Sequence, residues 1–160
     1  MFKRKNNRLK NYDYAMPNYY FITVCTQNRQ EYFGEIINYQ MVLNEAGQAA
    51  ERFWVEIPNH YRNIELDEFI IMPNHVHAIV FIKPQEDSKQ NVNLSTIVGS
   101  YKNVTSKTIH RLLGQNFNWQ KSFYDNIIRK DESLDRIREY IRNNPLKWEF
   151  DRNNNENLWM

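Results

Sequence analysis

Two histidines one residue apart are the side chains of this sequence best placed to do chemistry. His75 and His77 lie within an apolar, β-branched run at residues 72–82. Alternate side chains of a β-strand point to the same face, so these imidazoles would lie roughly 6–7 Å apart at Cα. Imidazoles at that separation can bind one metal ion. The alternative is a pair of ordinary histidines on a solvated sheet face, and the pair alone does not decide between the two.

A tyrosine near the C-terminus is the second candidate for chemistry. Three apolar residues at helical spacing predict a helix here: Leu134, Ile137 and Ile141. At about 100° per residue, Tyr140 lies roughly 90° from the centre of that stripe. It shares its side of the helix with Arg136 and Asn144, each four residues away. A tyrosine needed only for packing would more naturally occupy the stripe, although a tyrosine at the core boundary with its hydroxyl in water is common.

Apolar patterning predicts the strands that carry the histidines. The apolar runs 66–72 and 75–82 flank Pro73-Asn74, which favours a tight turn, so the histidines would open the second strand of a hairpin. β-Branched and aromatic residues predict another strand at about 19–26. Residues 119–128 are predicted to be extended, which makes four strands.

Three helices are predicted between and after these strands, at about 38–57, at 94–113 and from Asp131 or Ser133 to just before Pro145. The resulting order indicates an α+β fold of the ferredoxin-like or RRM-like plan. In this plan an antiparallel sheet has helices on one face, here with an added C-terminal helix that bears the tyrosine. The other sheet face would be available to a ligand, and nucleic-acid binders often use that face. The fold alone does not select a function.

Composition indicates one globular domain. The chain has 160 residues, of which 41% are hydrophobic. No apolar run approaches the roughly 20 residues of a membrane helix, and the basic N-terminus lacks the apolar core of a signal peptide. The single Cys25 excludes a disulfide framework and a cysteine-based zinc site. We therefore expect a cytoplasmic protein with no membrane partner, built as a basic arm at 1–18, a single domain at 19–151 and a short polar tail at 152–160.

The distribution of charge is more informative than its total. The net charge is only +2, but the first ten residues carry five Lys or Arg and no acidic residue. A segregated basic side is what binding to a phosphate backbone requires, while the alternative is a set of solvated helix faces. The candidate DNA-binding residues are Lys3, Arg4, Lys5, Lys102, Lys107, Arg111, Arg129 and Arg136.

Three blocks of the sequence resemble a known family. His75-Val76-His77 resembles the histidine–hydrophobe–histidine signature of the HUH endonucleases. Residues 119–129 and 139–145 are similar to the later blocks of the single-tyrosine transposases, especially the REP-associated tyrosine transposases. The resemblance extends from about Tyr19 to Asp151, with the blocks in the family's order.

The resemblance implies a metal-dependent transposase that cleaves and rejoins single-stranded DNA, at hairpins, through a 5′-phosphotyrosine intermediate. Carried over by position, His75 and His77 bind a divalent ion, Mg²⁺ or Mn²⁺, and Asn144 completes the metal site. Tyr140 is the implied nucleophile. The implied partner is single-stranded or hairpin DNA, and the protein would act as a monomer or as a homodimer.

Two other functions compatible with the residues remain open. One is an origin-nicking or relaxase-like HUH endonuclease, which would cleave without transferring strands between paired ends. The other is a ferredoxin-like nucleic-acid-binding module that is not an enzyme, in which the two histidines are incidental. Strand transfer distinguishes the transposase from the first, and metal-dependent DNA chemistry distinguishes it from the second.

Overall fold

The computed structural model describes residues 18–84, 92–114, 116–129 and 131–151. Six strands are present in this part of the chain: β1 (Asn18–Cys25), β2 (Gly34–Ile37), β3 (Gln40–Leu43), β4 (Ile64–Met72), β5 (His75–Ile82) and β6 (Tyr124–Ile128). It also contains four α-helices: α1 (Glu45–Val55), α2 (Ile57–His60), α3 (Leu94–Leu113) and α4 (Asp131–Arg142). The predicted basic arm, except its last residue, and the polar tail lie outside the described residues.

The main sheet has four antiparallel strands in the order β4-β5-β1-β6. With α1 and α3 as connections, the order β1-α1-β4-β5-α3-β6 is that of the ferredoxin-like plan. This confirms the predicted α+β fold and the hairpin that presents the histidines. The helix predicted at 94–113 has the same bounds in the structure.

The helix predicted at 38–57 is wrong in its first part. Residues 34–43 form the separate hairpin β2-β3, whose two turn residues, Asn38 and Tyr39, have φ angles of 50° and 62°. Two consecutive positive φ angles match the twist of a two-residue hairpin turn, but the turn lacks glycine, which weakens its signal in the sequence. The helix begins only at Glu45, where the side chain of Asn44 accepts a hydrogen bond from the Gly47 amide at 2.9 Å.

The extended segment predicted at 119–128 is only partly a strand. β6 occupies its second half, while Trp119 forms an isolated bridge with Thr26. The sequence pattern did not separate the two pieces because both are rich in aromatic and apolar residues.

The two faces of the sheet bury different side chains. One face holds the main core with α1 and α3, including Val76, Ala78 and Trp54. On the opposite face α4 packs through Leu134 and Ile141 in a smaller apolar cluster. The face expected to be available to a ligand is therefore partly covered, and the element that covers it is the tyrosine-bearing helix.

A β-bulge in β4 determines how α4 is held on the sheet. The pairing of β4 with β5 shifts register between Leu66 and Phe69, at two consecutive acidic residues. Asp67 accepts hydrogen bonds from Nε and Nη2 of Arg138 at 2.8 and 2.6 Å. One turn later Arg142 lies 3.5 Å from Glu68. The bulge thus gives α4 a bidentate ion pair in addition to its apolar contacts.

Candidate active site

The two histidines lie on the α4 side of the sheet, as strand alternation predicts. Both imidazoles are buried, with exposed fractions of 0% for His75 and 2% for His77. Their ring centroids are 4.4 Å apart. The alternative that they are ordinary histidines on a solvated sheet face is therefore wrong.

The hydrogen bonds around His75 determine which ring nitrogen can bind a metal. Asn74 donates from Nδ2 to the Arg29 carbonyl at 3.0 Å, so its amide oxygen points the other way. That oxygen lies 2.8 Å from His75 Nδ1, and because an amide oxygen only accepts, Nδ1 must carry the proton. The neutral imidazole then keeps its lone pair at Nε2. His77 Nδ1 lies 2.8 Å from the hydroxyl of Thr23, and because a hydroxyl both donates and accepts, this contact is compatible with either tautomer of His77.

A carboxylate joins the imidazole pair from the end of the described chain. One ligand atom from each of His75, His77 and Asp151 lies within 4.8 Å of the others. Asp151 follows a 3₁₀ turn at Trp148–Phe150, and the Trp148 ring stacks on His75 with centroids 6.1 Å apart. Two imidazoles and a carboxylate with open positions are a donor set that divalent metals use. Sequence reasoning missed Asp151 because no local spacing relates it to the histidines.

The structure brings Tyr140 to the imidazole pair within one chain. The Tyr140 and His77 ring centroids are 5.4 Å apart, and Phe21 contacts both rings. Tyr140 is 42% exposed, so its phenol lies between the buried imidazole pair and solvent, where a large substrate can reach it. The phenol of Tyr140 and the two imidazoles therefore lie close together in the structure, while their catalytic roles stay predictions.

Asn144 lies in the turn that ends α4. Its backbone N–H donates to Ile141 at 3.2 Å, so the last turn is of the tighter 3₁₀ type before Pro145. The side chain is 2% exposed, and its amide oxygen accepts no hydrogen bond from any residue that the structure describes. A buried amide oxygen without a hydrogen bond costs free energy, and a metal would satisfy it. Its role as a ligand stays a prediction.

The predicted DNA-binding residues are not gathered on one surface. Lys107 and Arg111 are exposed on α3, behind the face that carries the histidines. Lys102, also on α3, donates to the Gln120 carbonyl at 2.5 Å and so supports a loop. The exposed Arg136 precedes Tyr140 by one turn of α4, and the exposed Arg129 directly follows β6. The remaining three, Lys3, Arg4 and Lys5, lie outside the described residues.

The chain matches one protein family over most of its length. A family model described as IS200-like transposase matches residues 15–144. An uncharacterised protein of Haemophilus influenzae is 38% identical over 164 residues, which cover 92% of this chain and 91% of that protein. In the part of the chain that the structure describes, no helix combines the length and apolar character needed to cross a membrane.

Two solved structures have a similar fold. A REP-associated tyrosine transposase bound to a REP hairpin superposes with a TM-score of 0.61 at 20% identity, covering 91% of this chain and 77% of that one. A candidate transposase from Deinococcus radiodurans superposes with a TM-score of 0.51 at 15% identity, covering 85% of this chain and 95% of that one. At these identities the likeness concerns the fold.

Proposed function

The chain belongs to the IS200-like transposase family, and from that premise we propose that it cleaves and rejoins single-stranded DNA through Tyr140. One observation carries the proposal. The phenol of Tyr140, on α4, lies beside the buried imidazole pair of β5, 5.4 Å from His77 between ring centroids. A nucleophile and a cation site are the two groups that such a phosphoryl transfer needs.

The residues present fit a divalent cation. His75, His77 and Asp151 offer two imidazole nitrogens and one carboxylate oxygen, and the buried amide oxygen of Asn144 is a further candidate. Imidazole and carboxylate ligands together suit Mn²⁺, and Mg²⁺ accepts the oxygen donors. A cation bound there would supply charge stabilisation at the scissile phosphate.

Tyr140 performs the proposed covalent step. The Tyr140 oxygen forms a bond to phosphorus as the phenolic proton passes to solvent, the bond from phosphorus to the 3′ oxygen of the preceding nucleotide breaks, and that oxygen takes a proton from solvent. The resulting 5′-phosphotyrosine is itself a phosphodiester and so conserves the energy of the broken bond. The 3′-hydroxyl of another strand can therefore attack it and release the phenol. A phenol has an ordinary pKa of about 10, so its deprotonation requires a nearby positive charge or base.

Hairpin DNA is the proposed substrate. Support comes from the fold neighbour that was solved with a REP hairpin bound. A non-enzymatic nucleic-acid-binding module would not need a phenol against a buried imidazole pair. An origin-nicking or relaxase-like endonuclease could use the same pair, so rejoining of a cleaved hairpin to a second flank must be measured as well as cleavage.

Replacement of Tyr140 by Phe tests the proposal. With Mn²⁺ and 5′- and 3′-labelled single-stranded hairpins, we expect the wild type to form a denaturant-resistant DNA adduct and Tyr140→Phe to form none. Hairpin binding should change less than about twofold, because the ring that contacts His77 is retained. Tyr39→Phe is the matched control, since Tyr39 is 62% exposed in the turn of the β2-β3 hairpin. An adduct formed by Tyr140→Phe would assign the nucleophile to another residue.

A further inference from the structure

An open cleft lies at the β6 edge of the main sheet. It has a volume of about 620 Å³. Seven residues line it and define the edge cleft: Gln27, Asn28, Arg29, Trp119, Gln120, Lys121 and Tyr124. None of these residues belongs to the imidazole pair or to α4. The edge cleft is thus separate from the cation site described above.

The edge cleft is joined to the imidazole pair through the sheet. Thr23 of β1 lies opposite both His77 of β5 and Tyr124 of β6, which places the three side chains in one cross-strand row. Strands are spaced about 4.8 Å apart, so Tyr124 lies about 10 Å from His77 at Cα. On the side of the edge cleft formed by Trp119, Gln120 and Lys121, the backbone N–H of Gln120 donates to the carbonyl of Cys25, the cross-strand neighbour of His75, at 2.9 Å.

The turn on the other side of the edge cleft has a strained backbone. Asn28 and Arg29 have φ angles of 56° and 53°, a region that side chains other than glycine rarely adopt. The turn is held by the Asn74 amide, which donates to the Arg29 carbonyl at 3.0 Å and also orients His75. One side chain therefore contacts both the edge cleft turn and a candidate metal ligand.

The lining has the chemistry of a nucleotide site. Three side-chain amides can pair with the edge of a base: Gln27, Asn28 and Gln120. Arg29 and Lys121 offer positive charge to a phosphate, and Tyr124 offers a half-buried ring for stacking. The described lining contains no carboxylate that would repel a phosphate.

We propose that the edge cleft binds an unpaired nucleotide that flanks the scissile phosphate, with amides reading the base and the two cations holding the backbone. This inference rests on the proposed function, which identifies the bound strand as the single-stranded DNA to be cleaved. It adds a subsite in which Tyr124 lies on the same sheet face as His77, two strands away. The Arg29 turn of this subsite and the His75 imidazole share one hydrogen-bonding partner, the Asn74 side chain.

Cross-linking in the Tyr140→Phe protein tests the edge cleft without strand cleavage. The probe is a single-stranded 12-nucleotide oligomer in which each position in turn carries 5-iododeoxyuridine. After irradiation and peptide mapping, we expect a cross-link to Tyr124 or to Trp119. Cross-links confined to peptides outside the edge cleft would overturn the inference. Absence of a Tyr140 adduct in the wild type would instead count against the proposed function, so the two failures are distinguishable.

Affinity measurements on paired variants supply the second test. Gln27→Ala/Lys121→Ala removes one amide and one cation at exposed positions, and we expect it to weaken binding of fluorescein-labelled oligomer about tenfold. The control Lys83→Ala/Gln48→Ala removes the same groups at exposed positions away from the edge cleft. Tyr124→Leu should weaken binding to a similar extent by removing the stacking ring. Equal affinities of the edge cleft and control variants for the oligomer would overturn the proposal.

Discussion

The orientation of the Asn74 side-chain amide determines which ring nitrogen of His75 can bind a metal. Asn74 donates to a backbone carbonyl on one side, and this places its oxygen against Nδ1 of His75. The lone pair of the neutral imidazole then lies at Nε2, the atom that a metal requires. The same residue forms the tight turn of the hairpin, so a position that the sequence marks as a turn also determines the protonation pattern of a candidate ligand.

Replacement of Asn74 by Ala should therefore weaken metal binding. We expect Mn²⁺ affinity to fall about tenfold, the lower end of what loss of such a partner costs a metal site. Isothermal titration of the purified variant measures this directly. Asn59→Ala, at an exposed position in α2, is the control. Unchanged affinity in Asn74→Ala would mean that His75 does not need this hydrogen bond or is not a ligand.

The third ligand can be identified by comparing two residues. If Asp151 completes the site, Asp151→Asn should lower Mn²⁺ affinity by about tenfold or more, because an anionic donor is lost. Asn144→Ala should then have a smaller effect. Titration of both variants beside the wild type gives the ranking. The reverse order of effects would assign the third position to the amide, as the family resemblance implies.

At the scale of elements, α4 is held by an ion pair at a bulge. The Asp67 carboxylate receives two hydrogen bonds from Arg138, and this interaction holds the pKa of Asp67 below its ordinary value. Burial opposes the effect but is the smaller cause. The bulge is needed because regular alternation would turn one of the two acidic residues at 67 and 68 towards the opposite face. The ion pair thus keeps the tyrosine-bearing helix over the histidines.

Loss of this ion pair should lower stability in a pH-dependent manner. We expect Asp67→Asn to reduce the free energy of unfolding in urea by on the order of 1 kcal/mol at pH 7. A depressed folded-state pKa contributes stability that is complete above the unfolded value of about 3.9 and is lost as pH falls through the folded value. The difference between variant and wild type should therefore shrink below about pH 4. Glu65→Gln, at an exposed carboxylate of β4, should show little effect, and a pH-independent loss in Asp67→Asn would argue against the ion pair.

At the scale of the whole molecule, one chain contains every group of the candidate site. Tyr140 contacts His77 of its own sheet, and Asp151 reaches the same imidazole pair. A site completed in one chain does not require exchange of α4 between two copies. This arrangement predicts that Tyr140 acts beside the imidazole pair of its own chain, in a monomer as well as in a homodimer.

Mixing two inactive variants tests the single-chain site. His77→Ala and Tyr140→Phe each lack one group that the proposed mechanism requires, and we expect their mixture to form no more DNA adduct than either variant alone. A complete site within one chain cannot be rebuilt from two defective chains without exchange of a helix. Recovery of adduct in the mixture would show that the tyrosine of one copy serves the histidines of another. Size-exclusion chromatography of the same samples reports their assembly state.

Local sequence patterns were sufficient to predict most of the strands and helices and to place the two histidines on one face of the sheet. Alternation along β5 places His75 and His77 on one face because a strand has a period of two, and the helix at 94–113 follows from its apolar spacing. The β2-β3 hairpin was missed because Val42 and Leu43 fit both a helix and a strand. Tyr140 was identified through its position beside the apolar stripe and through the family resemblance.

Only the tertiary structure could place Asp151 beside the histidines, orient Asn74 and form the edge cleft. Each of these depends on residues far apart in the sequence whose separation is determined by how α4 and the connecting loops pack against the sheet. Periodicity reports which side of its own element a residue occupies. It contains no information about which other element lies opposite, because that depends on long-range burial and on ion pairs such as Asp67–Arg138.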